Sequence, residues 1–172
     1  MTAVRAPQLV VVEYDGWIAR HLGDIATEGA WLVRGTRSVE AGAALARERR
    51  PCVLVVQVEL AEDNLAALRL IADVRIACPD VPVVAVSDVK LSDADRIAWT
   101  AALIDLGARY VLFPPLTKPV LEDVMSGLMA AAIRRVIGAA PPATNAPAVA
   151  PKPRRPQSAD DVIDLADEEL HE

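Results

Sequence analysis

The sequence predicts an α/β fold in which a doubly wound, five-stranded parallel sheet carries helices on both faces. Over residues 1–138, short runs rich in valine alternate with longer segments of helical period. The runs are apolar throughout, which is typical of parallel strands buried on both faces. Five such strand–helix pairs indicate right-handed crossovers and place any functional site at the carboxyl ends of the strands.

The predicted elements follow one another with short connections. The strands are the runs LVVV (9–12), WLVRGT (31–36), CVLVVQV (52–58), VPVVAVS (81–87) and YVLF (110–113). Apolar residues at helical spacing predict helices over residues 17–30, 39–50, 65–77, 93–106 and 118–137. Ser38 and Thr117 are expected N-caps, and Gly29 and Gly107 are expected to end their helices.

Four less common side chains are assigned to the interior. His21 lies on the apolar face of its predicted helix, so we expect it to be packed rather than catalytic. Trp31 begins a predicted strand and is expected in the core. Cys52 and Cys78 are too few for a disulfide framework or a zinc site and are expected to be small buried hydrophobes.

The charge of the 172-residue chain is uneven along its length. Residues 1–140 hold 17 acids and 15 bases, whereas residues 157–172 hold seven acids and no Lys or Arg. Between them, six of residues 141–156 are proline. This pattern predicts a domain over residues 1–138, a semi-rigid linker over 139–156 and an acidic, amphipathic tail peptide over 157–172.

The tail peptide is expected to be disordered alone and to bind a protein partner. Its aliphatic residues recur among the acids, so that they form one apolar stripe; they are Val162, Ile163, Leu165 and Leu170. A purely solubilising segment has no need of such a stripe. Whether the segment binds its own domain or another molecule stays open.

Composition also excludes several classes of function. A near-neutral domain with an acidic end argues against nucleic-acid binding. No apolar run reaches the roughly 18 residues of a membrane span, and the first residues lack the features of a signal peptide. We therefore expect a cytoplasmic protein that does not bind nucleic acid or membranes.

Three stretches carry a resemblance to a known family, namely GAWLVRGTRSVEAGAALARERRPCVLVV, VPVVAVSD and GARYVLFPPL. Together with the order and lengths of the elements, they make residues 7–138 similar to the receiver domain of bacterial response regulators. The resemblance implies the (βα)5 receiver fold and a role in two-component signal transduction or a phosphorelay.

The resemblance also implies a phosphoacceptor pocket. Receivers normally have two acids after the first strand that hold Mg²⁺, and an Asp ending the third strand that accepts a phosphoryl group. A Ser or Thr ending the fourth strand and a Lys before a cis-proline after the fifth orient and neutralise that group. In this sequence the corresponding positions hold, in chain order, Glu13, Tyr14 (followed by Asp15), Gln57, Ser87, Pro114 and Pro115.

These replacements predict a degenerate pocket. The amide of Gln57 is a very poor nucleophile and cannot form an acyl phosphate, and Pro114 has no ammonium group. We therefore expect a pseudo-receiver that is not an enzyme, needs no cofactor or metal, and has a cis bond between Pro114 and Pro115. A residual cation site at Glu13, Asp15 and Ser87 stays open but is disfavoured, because two acids bind Mg²⁺ weakly.

Protein–protein interaction is the function that the predicted degenerate pocket favours. The last two predicted helices, with Trp99 and Tyr110 as candidate anchors, are expected to bind a partner or to form a homodimer. One alternative is a genuine response regulator that is modified at a different residue, or in which Lys118 of the LTKPV stretch (116–120) supplies the lysine. A small α/β enzyme is a third possibility, although the sequence shows no convincing catalytic constellation.

Overall fold

Five parallel strands form one sheet in the order β2-β1-β3-β4-β5. The computed structural model describes residues 5–48, 50–59 and 65–138. In these residues the strands are β1 (Gln8–Val12), β2 (Leu32–Thr36), β3 (Cys52–Gln57), β4 (Val83–Val86) and β5 (Tyr110–Leu112). The helices are α1 (Trp17–Glu28), α2 (Val39–Ala46), α3 (Leu65–Ala77), α4 (Asp93–Leu106) and α5 (Lys118–Gly138). The predicted doubly wound parallel sheet is confirmed.

Helices cover both faces of the sheet, as the apolar strands predict. Leu9 and Val11 of β1 pack with α1 and α5, whereas Val10 and Val12 pack with α2 and α3 on the other face. Because successive side chains of a strand point to opposite faces, a strand with two covered faces has no position for an exposed polar residue. All residues of β1, β3 and β4 are buried.

Local signals fix several helix ends. The hydroxyl of Ser38 accepts the N–H of Ala41, so Ser38 is the N-cap of α2, as expected. Gly29 and Gly107 follow the last residues of α1 and α4, also as expected. Gly107 has a φ of 128°, a conformation that favours glycine. Helix α5 begins directly after Thr117, whose carbonyl accepts the N–H of Leu121.

The element bounds differ from the predicted ones at a few ends. Helix α2 ends at Ala46 rather than at residue 50, because the chain turns at Arg47 before it enters β3. Strand β4 begins at Val83 rather than at residue 81, since Pro82 precedes it and has no N–H for the ladder. Strands β3 and β5 each end one residue earlier than expected.

Three of the four interior assignments, those of His21, Trp31 and Cys78, were wrong in degree or in kind. His21 is exposed, and its Nδ1 lies 2.7 Å from the carbonyl oxygen of Trp17 one turn earlier in α1. Trp31 is half-buried at the edge of the core rather than inside it. Cys52 is buried as expected, and burial raises the pKa of its thiol to about 12. Cys78 is half-buried.

Two further points concern the chain as a whole. The predicted linker and tail peptide, residues 139–172, lie outside the described residues, so their boundaries and their role stay predictions. Among the residues that the structure does describe, no helix has the length and apolar character that crossing a membrane requires.

Candidate functional site

Three buried polar side chains lie at the carboxyl edge of the sheet. Glu13 follows β1, Gln57 ends β3 and Ser87 follows β4, and they are 4%, 3% and 1% exposed. The register pairs Val12 with Val56 and Gln57 with Val86, which places Glu13 level with Gln57 and Ser87 one residue further along the sheet. This edge includes the point where the strand order reverses between β1 and β3, the usual ligand site of an open α/β sheet.

Glu13 caps the first helix. Its Oε2 accepts the N–H of Ile18 at 2.8 Å, and its Oε1 accepts the N–H of Ala19 at 3.0 Å. Gly16, the N-cap residue, has a φ of 77° and no side chain to do this. A carboxylate at a helix N-terminus satisfies unpaired N–H groups and interacts favourably with the helix dipole. Both oxygens of Glu13 are therefore engaged by the backbone of α1.

Gln57 links the loop after β1 to the end of β3 through a hydrogen bond. Its Oε1 accepts the backbone N–H of Tyr14 at 2.9 Å. The side-chain amide therefore uses its carbonyl oxygen to satisfy a backbone donor. The hydrogen bond is partly buried, so it stabilises the observed path of the loop.

Ser87 also has a backbone partner. Its Oγ lies 3.2 Å from the N–H of Val89, which donates to it across a short turn after β4. Its own N–H donates to the carbonyl of Leu112 and extends the β4–β5 ladder. The hydroxyl thus shapes the β4–α4 loop.

These residues do not fit a magnesium ion. Asp15 is exposed, and the two oxygens of Glu13 already accept helix N–H groups. Gln57 carries no charge. Within residues 5–48, 50–59 and 65–138, no three His, Cys, Asp or Glu side chains are grouped so that they could hold a metal ion. A surface cavity of about 320 Å³ beside Glu13 and Asp15 also has Arg37 in its wall, which disfavours a cation there.

The chain after β5 gives the pocket no lysine. A cis peptide bond joins Pro114 to Pro115, as predicted. Lys118 instead begins α5, and its Nζ lies 2.7 Å from Oδ2 of Asp24 on α1. The hydrogen bond and charge of Asp24 raise the pKa of Lys118, and Lys118 in turn lowers the pKa of Asp24. The ammonium of Lys118 is therefore engaged on the surface between α1 and α5.

A second feature lies beside this edge, in the groove between α4 and β5. We call it the α4–β5 groove; it has a volume of about 520 Å³ and is lined by Arg96, Ile97, Thr100, Ala101, Val111, Leu112 and Phe113. Ile97 is 69% exposed, and neighbouring Tyr110 is 46% exposed. Trp99 is half-buried and packs against the core under α2, α3 and α4. Its main visible contribution is therefore to packing, and its role as an anchor stays a prediction.

The apolar stripe of α5 is mostly used inside the protein. Met125, Leu128 and Met129 are buried against the sheet, whereas Val136 and Ile137 near the end of the helix are exposed. Most apolar residues of α5 thus pack on the sheet and on α1.

Solved structures similar to this fold include response regulators and their receiver domains. A response regulator from Thermotoga maritima is 21% identical and has a TM-score of 0.57, covering 73% of this chain and 98% of that one. A CheY-like receiver domain protein from Methanospirillum hungatei is 13% identical with a TM-score of 0.58, covering 76% and 98%. NtrX from Brucella abortus is 20% identical with a TM-score of 0.60, covering 78% of this chain and 29% of that one.

No protein-family model and no curated protein matches the chain. The structural similarities nevertheless agree on one architecture, and the fold of the chain is the (βα)5 fold of response regulator receivers. The resemblance seen in the sequence is confirmed at this level.

Glu13 has a role that differs from the predicted one. The sequence suggested a candidate cation ligand at this position, whereas the carboxylate is buried and caps α1. A signal was present in the sequence. No Ser, Thr, Asp or Asn stands at the cap position, Gly16, so the N–H groups of α1 needed an acceptor from elsewhere.

Proposed function

We propose that the chain is a phosphorylation-independent pseudo-receiver that acts as a protein-interaction adaptor in bacterial signal transduction. The observation that carries the proposal is the buried amide of Gln57, held by the N–H of Tyr14 at the phosphoacceptor position. An amide offers no oxygen nucleophile of carboxylate strength, so phosphotransfer has no acceptor there.

The surroundings of Gln57 support the same proposal. A phosphoryl group at this edge would bring negative charge that Lys and Mg²⁺ neutralise in phosphorylatable receivers. Here Pro114 stands in the lysine position, and Glu13 is committed to the N-terminus of α1. A bound phosphoryl group would thus lack a lysine at the position before Pro115, and the described residues offer it no ready cation site.

Partner binding is assigned to the α4–β5 groove and to the acidic tail peptide. The groove has an exposed apolar residue, Ile97, beside half-buried apolar ones, Val111 and Phe113, and Tyr110 is exposed next to it. Exposed apolar side chains around a concave surface are typical of interaction sites. A non-enzymatic adaptor needs such a surface and does not need a reactive pocket.

Phosphodonor labelling tests the proposal directly. The full chain is incubated with acetyl phosphate or phosphoramidate and Mg²⁺, next to a phosphorylatable receiver as a positive control, and intact masses are measured. We expect no added phosphoryl group on this chain. The single variant Gln57→Asp should also label poorly, because Pro114 still leaves the added charge uncompensated.

Labelling of the unmodified chain would contradict the proposal. If one phosphoryl group is added in a Mg²⁺-dependent manner and is lost on Ser87→Ala, the chain is a genuine response regulator modified at another residue. Peptide mapping would then identify the modified side chain.

A further inference from the structure

The amino-terminal edge of the sheet, opposite the edge with Gln57, has a groove with arginines around it. Its volume is about 350 Å³, and it lies where the chain enters β4 and β5, beside α3 and α5. We call it the basal groove and define it by six residues. Arg75, Arg109 and Arg135 are exposed around it, and Val81, Leu128 and Ala132 form its more buried wall.

Two of these arginines are held in place by neutral groups. The stem of Arg75 crosses the backbone at Gly107, where an added Cβ would lie 2.7 Å from its Cβ and Cδ. Its guanidinium donates to the carbonyl oxygen of Asp105. Arg135 donates to the carbonyl oxygen of Asp80 at 3.2 Å. A guanidinium has five N–H donors, so these bonds orient the groups and leave donors for another partner.

The three charges have no carboxylate partner within the described part of the chain. Its ion pairs are Arg34–Glu48, Arg50–Glu48, Arg96–Asp93, Lys118–Asp24 and Lys118–Glu122. All twelve residues that line the groove are described, and none of them is acidic or aromatic. Positive charges that share a concave surface attract an anionic partner.

We infer that the basal groove binds an acidic peptide segment of a partner protein. Arginine matches carboxylates in a two-pronged geometry, and aliphatic side chains of the same segment would contact Leu128 and Ala132. Single-stranded nucleic acid fits less well, because its bases stack on aromatic side chains and the groove has none. The inference does not depend on the pocket at Gln57 being inert.

A binding experiment with a defined probe tests the inference. A fluorescent peptide of repeated Glu-Glu-Leu units is titrated with the full chain, and fluorescence anisotropy reports binding. The variant Arg109→Gln/Arg135→Gln should weaken binding about tenfold, because two charge-assisted contacts are lost. Arg75 is kept in this variant, so that its packing on Gly107 is preserved.

A matched variant controls for net charge. Arg20→Gln/Arg69→Gln removes the same charge from α1 and α3, away from the groove, and should leave the affinity within about twofold. A peptide of Gln-Gln-Leu repeats should not bind. Circular dichroism confirms that each variant is folded.

Three results would overturn the inference. The first is equal weakening by the matched variant, and the second is equal binding of the Gln-Gln-Leu peptide. The third is failure of the probe to bind both the full chain and a variant with amides in place of the seven acids of residues 157–172, which removes competition from the chain's own acids. An oligouridylate that displaces the probe at a lower concentration than the unlabelled peptide would instead assign the groove to nucleic acid.

Discussion

Glu13, Gln57 and Ser87 each accept a hydrogen bond from a backbone N–H group. The donor to Glu13 lies in α1, the donor to Gln57 lies in the loop after β1, and the donor to Ser87 lies in the loop after β4. The same positions in a phosphorylatable receiver must stay available to a metal ion and a phosphoryl group. Here the polar atoms form hydrogen bonds with the protein's own backbone. These hydrogen bonds of Glu13, Gln57 and Ser87 therefore stabilise the fold and position the loops.

The capping role of Glu13 is testable by a nearly isosteric change. Glu13→Gln leaves one acceptor oxygen for two N–H groups and removes the favourable charge at the helix N-terminus. We expect a loss of about 1–2 kcal/mol in the free energy of unfolding, measured with urea. Asp15→Asn, which removes the same charge from an exposed side chain, should change it by less than about 0.5 kcal/mol. Equal effects of the two changes would contradict the capping role.

The positions of some individual residues could be predicted from the sequence, whereas the contacts of others could not. The position of Gln57 at the end of β3 and the cis bond before Pro115 were predicted correctly, because both lie at the ends of strands that the apolar pattern identifies. The contacts of Glu13 were not predictable in this way, since they depend on the path of the loop through Gly16 at positive φ. His21 was misplaced because helical spacing gives a side chain's face but not its depth, and this one lies near the boundary of α1's buried stripe.

At the scale of elements, two glycines inside helices have different surroundings, because Gly42 of α2 is buried and Gly127 of α5 is exposed. Gly42 lies in α2 where the helix meets β1, and a Cβ built there would fall on Cγ2 of Val12. Gly127 lies in α5 with nothing within 4 Å of a built Cβ. The close approach of α2 explains a glycine inside a helix, where its low helix propensity is otherwise a cost.

This difference predicts opposite effects of the same substitution. Gly42→Ala should destabilise the chain by about 1–3 kcal/mol, because the stiff Val12 side chain in a buried strand cannot move aside cheaply. Gly127→Ala should stabilise it by about 0.5–1 kcal/mol through helix propensity. Thermal and urea unfolding of the two variants check this. Stabilisation by Gly42→Ala would mean that α2 can move away from β1.

The partner surface assigned to the α4–β5 groove has a matched test. Ile97→Asp places a charge in the groove, whereas Ile76→Asp places one on α3 at a side chain that is 81% exposed and outside the groove. Both variants should fold, since neither side chain is in the core. We expect Ile97→Asp alone to abolish partner capture in pull-downs from lysate with the full chain as bait. Loss of capture by both variants would indicate a general charge effect.

At the scale of the whole molecule, the order of the strands decides which distant residues meet. Sequence periodicity predicted five parallel strands, and the crossover rules then placed Glu13, Gln57 and Ser87 at one edge. The arginines of the basal groove were not predictable, because Arg75, Arg109 and Arg135 come from three separate connections or helices with no local motif. They become neighbours only through the packing of α3 and α5 beside the entries to β4 and β5.

The predicted domain boundary at residue 138 can be tested by truncation. Every buried hydrophobic residue of the described chain lies between Leu9 and Ala132, so the sheet and its helices supply their own core. A chain that ends at Ala140 should therefore unfold within about 2 °C of the full chain in a thermal melt. The full-length variant Ile163→Ala/Leu165→Ala should melt at the same temperature but lose any partner that the tail peptide captures, because its apolar stripe is shortened. A lower melting temperature of either chain would show that residues 139–172 stabilise the domain, and the tail would then be a structural or autoinhibitory segment.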